Sequence, residues 1–193
     1  MFGRKRDFKP DRPQSGTLSQ LYITPKQRKS LLKWLLTAAL LLVISLVQDV
    51  TMSRVRILGA TTDLVVCTIF MVCIMKDPEI GCVFALVSSA LYFCSGSAPG
   101  SYAIALITAL GVVAGIARQC YLRKSFSSTM LCTAGAIMAY ELILFLGGVF
   151  LGVIPGARFG IFLLRGLLSL IAMPILYPIF LSIEKIGGEA WKE

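Results

Sequence analysis

Apolar residues run in long blocks separated by short polar or Gly/Pro-rich breaks, and this pattern predicts helices that cross a bilayer. A spanning helix needs about 20 mostly apolar residues. Leu31–Val50 supplies the first block. Ahead of it, Thr24-Pro25 reads as a helix start, a hydroxyl N-cap followed by proline at the first helical position. The second span is expected at Ile57–Met75. Its fully apolar part, Leu64–Met75, is too short alone, so the span has to take in Gly59, Ala60, Thr61, Thr62 and Asp63. Ile80–Cys94, Ser101–Ala117, Thr129–Val153 and Gly160–Ile183 complete the set. Turn signals separate the blocks: Lys76-Asp77-Pro78-Glu79, the Ser95–Gly100 stretch, Arg118–Ser128 and Ile154-Pro155-Gly156. The expected fold class is all-α, a polytopic membrane bundle of about six transmembrane helices. Residues 31–186 form one membrane domain, between a basic, disordered tail over 1–30 and a short tail over 187–193.

Composition agrees. Hydrophobic residues make up 56% of the 193 and charged residues 15%, against roughly 45–50% and 25% in soluble domains. A formal charge of +9 could indicate nucleic acid. The cations sit between apolar runs rather than on a face interleaved with aromatics, so membrane topology explains them and no nucleic-acid partner is expected. With the N-terminus inside, fifteen of the nineteen Lys and Arg fall on the cytoplasmic side, and Arg54, Arg56 and Arg158 on the outer side. Both termini are then cytoplasmic. The basic run Arg4–Lys33 is expected to hold anionic lipid, at about 1 kcal/mol per cation near the surface.

The chain has no His, which removes Ser/His/Asp and Cys/His chemistry and the commonest metal ligand. Its six Cys are scattered along apolar runs without a CxxC pair and read as packing residues. There is no Walker loop, HExxH or nucleophile elbow. No catalytic residue, cofactor or metal is expected, and the chain reads as a binding or scaffolding protein.

Charges inside membrane spans are expensive and point to function or to pairing. Asp49 lies at the outer rim of the first span and Asp63 near the outer end of the second, where a carboxylate in a helix's first turn is favoured by the macrodipole. Glu141 falls near the midplane of the fifth span with no cation near it on its own helix. Arg165 on the sixth span is its natural partner, although it could also reach outward to Asp49 or Asp63. Gly111-x-x-x-Gly115 and Gly148-x-x-x-Gly152 have helix-packing spacing, for the bundle's interior or for a partner's helix. Pro174 and Pro178 predict a bend in the sixth span.

Several short pieces occur in a familiar order: a Gln48-containing rim, Ile57-Leu58-Gly59, Thr62-Asp63-Leu64, Lys76-Asp77-Pro78-Glu79-x-Gly81, Ser95-Gly96-Ser97 with Pro99-Gly100, Ala139-Tyr140-Glu141 and Met173-Pro174-x-x-Tyr177-Pro178. From about Leu35 to Ile186 the chain resembles the MreD family of the bacterial rod-shape (elongation) machinery. It departs from that pattern at Thr62, where the family often has Pro, and at Tyr92, where it often has an acid. The resemblance implies a non-enzymatic, multi-pass protein of the bacterial cytoplasmic membrane. Its implied partners are MreC, the MreB filament, the glycosyltransferase RodA and a penicillin-binding transpeptidase, all serving lateral peptidoglycan synthesis. It also implies an architecture similar to the S-components of energy-coupling-factor vitamin transporters, and with it an alternative role as a small-molecule uptake subunit. A partner's helix is expected in an outer groove between the Arg54/Arg56 loop, the Ser95–Gly100 turn and Arg158.

Overall fold

Leu64–Met75 is apolar on every side, and a helix of that kind is stable only with every side covered. In the computed structural model, which describes residues 25–52, 58–121 and 125–186, this segment (α2) is the centre of the protein. All its residues from Val65 to Met75 are buried. Around it stand α1 (Pro25–Val47), α3 (Pro78–Cys94), α4 (Tyr102–Tyr121), α5 (Phe126–Phe150) and α6 (Phe159–Ile186), and α2 touches each of them. A π-helical turn, Gln48–Met52, extends α1, and a 3-10 turn, Gly156–Arg158, leads into α6. The described residues contain no β-strand. The proposed tails outside 25–186, the Thr24 cap, Arg54, Arg56, the start of the second span at Ile57, and the turn residues Arg123 and Lys124 lie outside the described residues.

Four helices are long and apolar enough to cross a membrane: α1 with its π-helical turn, α4, α5 and α6. The other two are shorter, and the second span departs from expectation. It does not take in residues 59–63. Leu58 (φ 51°) and Gly59 (φ 85°) are left-handed, which ends any helical path there. Asp63 then caps α2, its side chain accepting from the Val66 N–H. At 1.5 Å per residue α2 is about 18 Å long and α3 about 25 Å, against a hydrocarbon core of roughly 30 Å. The break expected over Arg118–Ser128 is also shorter than anticipated, because α4 continues to Tyr121 and α5 begins at Phe126. At the start of the chain, α1 takes in the last residues assigned to the tail. The helix of α6 continues through both Pro174 and Pro178.

The two glycine pairs do different things. Gly111 and Gly115 lie against α2. A Cβ at Gly111 would stand 3.2 Å from Cys73 Sγ, and one at Gly115 3.2 Å from the Cys73 carbonyl oxygen. Gly81 of α3 presses on the same carbonyl from another side, at 3.1 Å. The pair therefore packs the interior. Gly148 and Gly152 instead form a helix end, which corrects the helix-packing expectation for them. α5 stops at Phe150, and Gly152 is left-handed (φ 70°). Its N–H donates to the Val149 carbonyl and that of Val153 to Gly148, which is a Schellman closure. Space above Gly148 is taken by Ile154 of the following turn.

Candidate functional site

The helices place a polar cluster where the chain's apolar character would least suggest one. Asp63, at the N-terminus of α2, is 2% exposed. Its Oδ2 accepts from the Tyr92 hydroxyl of α3 at 2.8 Å and from the Arg165 guanidinium of α6 at 2.7 Å. Its Oδ1 accepts from Gln48 Nε2 at 3.2 Å, beyond the end of α1. Its own N–H donates to Ser169 Oγ at 2.9 Å, and Gln48 Oε1 takes the Val65 N–H at 2.8 Å. One carboxylate thus joins α1, α2, α3 and α6. On its other side Arg165 brings Nε to 3.2 Å from Glu141 Oε1, which adds α5. Gly166, next to Arg165, lets the α6 backbone approach α5: a Cβ there would meet Met138 Sδ at 2.9 Å.

Sequence reasoning left Arg165 a choice between Glu141 and an outer aspartate. The structure gives it both, Glu141 and Asp63. Asp49 is held elsewhere, accepting from Ser97 Oγ at 2.5 Å, so it fastens the Ser95–Gly100 turn to the end of α1. Arg158 is exposed in its 3-10 turn, and Arg54 and Arg56, which were expected to border the outer groove with it, lie outside the described residues. Missed altogether were Gln48, Tyr92 and Ser169 as partners of Asp63, and the part played by Gly166. Tyr92, an uncharged residue near the end of α3, donates to this acid.

A second buried charge group lies at the opposite end of the bundle. Lys33 of α1 and Lys76 at the end of α2 both pair with Glu184 of α6, Lys76 at 2.5 Å. The Lys76 Nζ also sits 4.9 Å over the Trp34 ring, within cation–π range. Burial pushes the Lys76 ammonium below the ordinary lysine range, and Glu184 pulls it back up. The sequence signal for this group was present, since three ionisable residues border three different apolar runs. Their meeting depends on the helix order.

Beside these clusters runs an apolar cleft between α1 and α3, floored by Val65 of α2. Its volume is about 580 Å³, and its walls include Trp34, Ala38, Leu41, Ser45, Phe84 and Ser88. Tyr92, a member of the Asp63 cluster, closes one end of it. Among the described residues no group of His, Cys, Asp and Glu is placed to hold a metal. Asp63 and Glu184 are met by cations, hydroxyls or amides and Glu141 by Arg165 through Oε1, and the geometry is that of a tie between helices. No family model, curated protein or solved structure matches this chain.

Proposed function

We propose that the protein is a non-enzymatic membrane subunit that holds a partner's transmembrane helix, with all six helices embedded in the bilayer and both termini cytoplasmic. The α1–α3 cleft carries this reading. It faces outward, it is almost wholly apolar, and Ala38, Ser45 and Ser88 in its walls permit the close backbone approach through which helices associate in lipid. Large exposed apolar side chains on both bordering helices, among them Leu42, Leu46, Val83 and Val87, suit a lipid or helix neighbour rather than water. Together with the MreD-like residue pattern, these features favour a role in the bacterial rod-shape complex. The single-pass protein MreC would be the direct partner, and MreB, RodA and a transpeptidase would be reached through the assembly.

Filling the cleft tests this. Ala38→Trp with Val87→Trp, both at exposed positions of the cleft wall, leaves the buried ion pairs intact and is expected to abolish co-purification of MreC in mild detergent, while the thermal midpoint of the isolated protein stays close to wild type. Undiminished capture of MreC by the doubly substituted, folded protein defeats the proposal. A second reading rests on the same cleft. Its volume lies within the roughly 300–1,000 Å³ of small-molecule pockets, and Trp34, Phe84 and Tyr92 line it, as a vitamin-binding uptake subunit would require. A co-purifying vitamin, or activity only with an ATPase module, selects that reading instead.

A further inference from the structure

A serine or threonine inside a helix commonly turns its hydroxyl back to the carbonyl three or four residues earlier. Most hydroxyls within these helices do so. Thr37, Thr68, Thr108, Thr133, Ser169 and Ser182 each donate to the carbonyl four residues back, at 2.7–3.0 Å. Ser89 donates to the Leu86 carbonyl at 3.1 Å. Ser45 of α1 and Ser88 of α3 behave differently. Neither hydroxyl has a hydrogen-bond partner among the described residues, and both residues line the α1–α3 cleft, one on each wall. Unlike Glu141 Oε2, the two hydroxyl oxygens retain accessible surface. Ser88 is otherwise sealed, at 2% exposed, so the little surface it keeps is on the cleft side.

The two serines also share a level. Ser45 stands three residues before Gln48 and Ser88 four before Tyr92, spacings that place each pair on one helix face. Gln48 and Tyr92 meet on the single carboxylate of Asp63. Both serines therefore lie about one turn from that carboxylate, roughly 4.5–6 Å toward the Trp34 end of the cleft. Around them the walls are Leu41, Leu42, Val65, Phe84, Val87 and Leu91, and no charged side chain borders the cleft.

Inside a bilayer no water is at hand to meet these hydroxyls. A lipid tail lying in the cleft leaves both unmet, and a headgroup stays at the boundary. A polar side chain on a transmembrane helix reaches this depth, and such side chains bond across helix interfaces. A charged one is excluded, because the cleft offers no counter-ion. We propose that the partner helix seated in this cleft carries an uncharged hydrogen-bonding side chain, a carboxamide or a hydroxyl, level with Ser45 and Ser88, and that these two serines select for it. The inference rests on the partner-helix reading and adds to it the chemistry by which the partner is chosen. In the free protein either hydroxyl can turn back onto its own helix, so the serines matter for binding and not for folding.

The test titrates full-length MreC against the full chain in nanodiscs. Ser45→Ala and Ser88→Ala are each expected to raise the apparent Kd about threefold, and the double variant about tenfold, the effect of losing one and two hydrogen bonds within a membrane interface. The thermal midpoint of the isolated protein should not move. On the partner's side, uncharged polar residues of the MreC span are replaced by Leu one at a time. One such change should give the same loss against wild type and add nothing against the double alanine variant. This arm also decides the matter should the alanine variants lose stability. Ala38→Trp with Val87→Trp, which fills the cleft, separates the two claims. Loss of capture by that variant, with wild-type affinity in the double alanine variant, overturns the selection by serine and leaves the partner-helix reading standing. Wild-type affinity in both removes both. The inference is also overturned if no amide or hydroxyl side chain of the MreC span affects binding. The same follows if native mass spectrometry finds a lipid or other small molecule that the double alanine variant loses while its capture of MreC is unchanged.

Discussion

Arg165 joins two acids from two other helices, and its removal would leave both buried without their counter-ion. Breaking a buried pair by deleting one partner costs about 3–5 kcal/mol, whereas replacing the whole group by uncharged residues is often nearly neutral. Arg165→Met is therefore expected to lower the stability of the purified protein by roughly that amount in detergent unfolding. The triple change Asp63→Asn, Glu141→Gln, Arg165→Met should recover most of the loss. A triple variant no more stable than Arg165→Met would show that the charges are not what the arginine serves. Part of this cluster was legible in the sequence, because a charge inside an apolar run demands an explanation and few were available. What could not be read was that Arg165 serves Asp63 and Glu141 together. Helix rise places Arg165 at a depth between them, but only the side-by-side packing of α2, α5 and α6 decides that both lie within reach. Tyr92, Gln48 and Ser169 carry no charge, so nothing in a hydropathy pattern sets them apart from other polar residues at helix ends.

Among the helices, α2 sets the arrangement, and its shortness follows from its surroundings. A helix surrounded by others does not have to reach from one headgroup region to the other by itself, since its ends are met by protein: Asp63 caps one and Lys76 stands at the other. The block pattern read this segment as apolar throughout but overextended it, because Gly59–Asp63 were needed to reach spanning length and the left-handed turn at Leu58 and Gly59 has no hydropathy signature. The spacing of Gly111 and Gly115 did identify a packing face, and the structure supplies its counterpart in the Cys73 backbone. Gly115→Leu is expected to force α4 away from α2 and cost about 1–3 kcal/mol, the usual penalty for overpacking. The same change at Gly135 of α5, where a Cβ would meet nothing within 4 Å, should cost less than 1 kcal/mol, close to the small effect expected of a surface site. Thermal unfolding of the two variants side by side reads the difference. Equal penalties would mean that close approach at Cys73 does not limit the packing of α4.

Across the whole molecule the two buried charge groups lie at opposite ends of α2 and differ in sign. Lys33, Lys76 and Glu184 carry an excess of positive charge at one end, and Asp63, Glu141 and Arg165 an excess of negative charge toward the other. In the proposed topology, where the Lys- and Arg-rich segments are cytoplasmic, the Lys76 end would lie inward and the Ser95–Gly100 turn outward. Two native cysteines report on it directly. Cys94, at the end of α3 next to that turn, and Cys120, near the opposite end of the bundle on α4, are both exposed, whereas Cys67 and Cys73 are buried in α2. In intact cells a membrane-impermeant maleimide should modify a variant retaining only Cys94. A variant retaining only Cys120 should react only after the membrane is permeabilised. The reverse pattern would place the basic termini outside and would remove the partner-helix reading along with the orientation. Equal labelling of both variants in sealed cells would mean that α3 and α4 do not cross the bilayer as a pair, and the short α2 would then have to be explained as the core of a domain lying on one side of it.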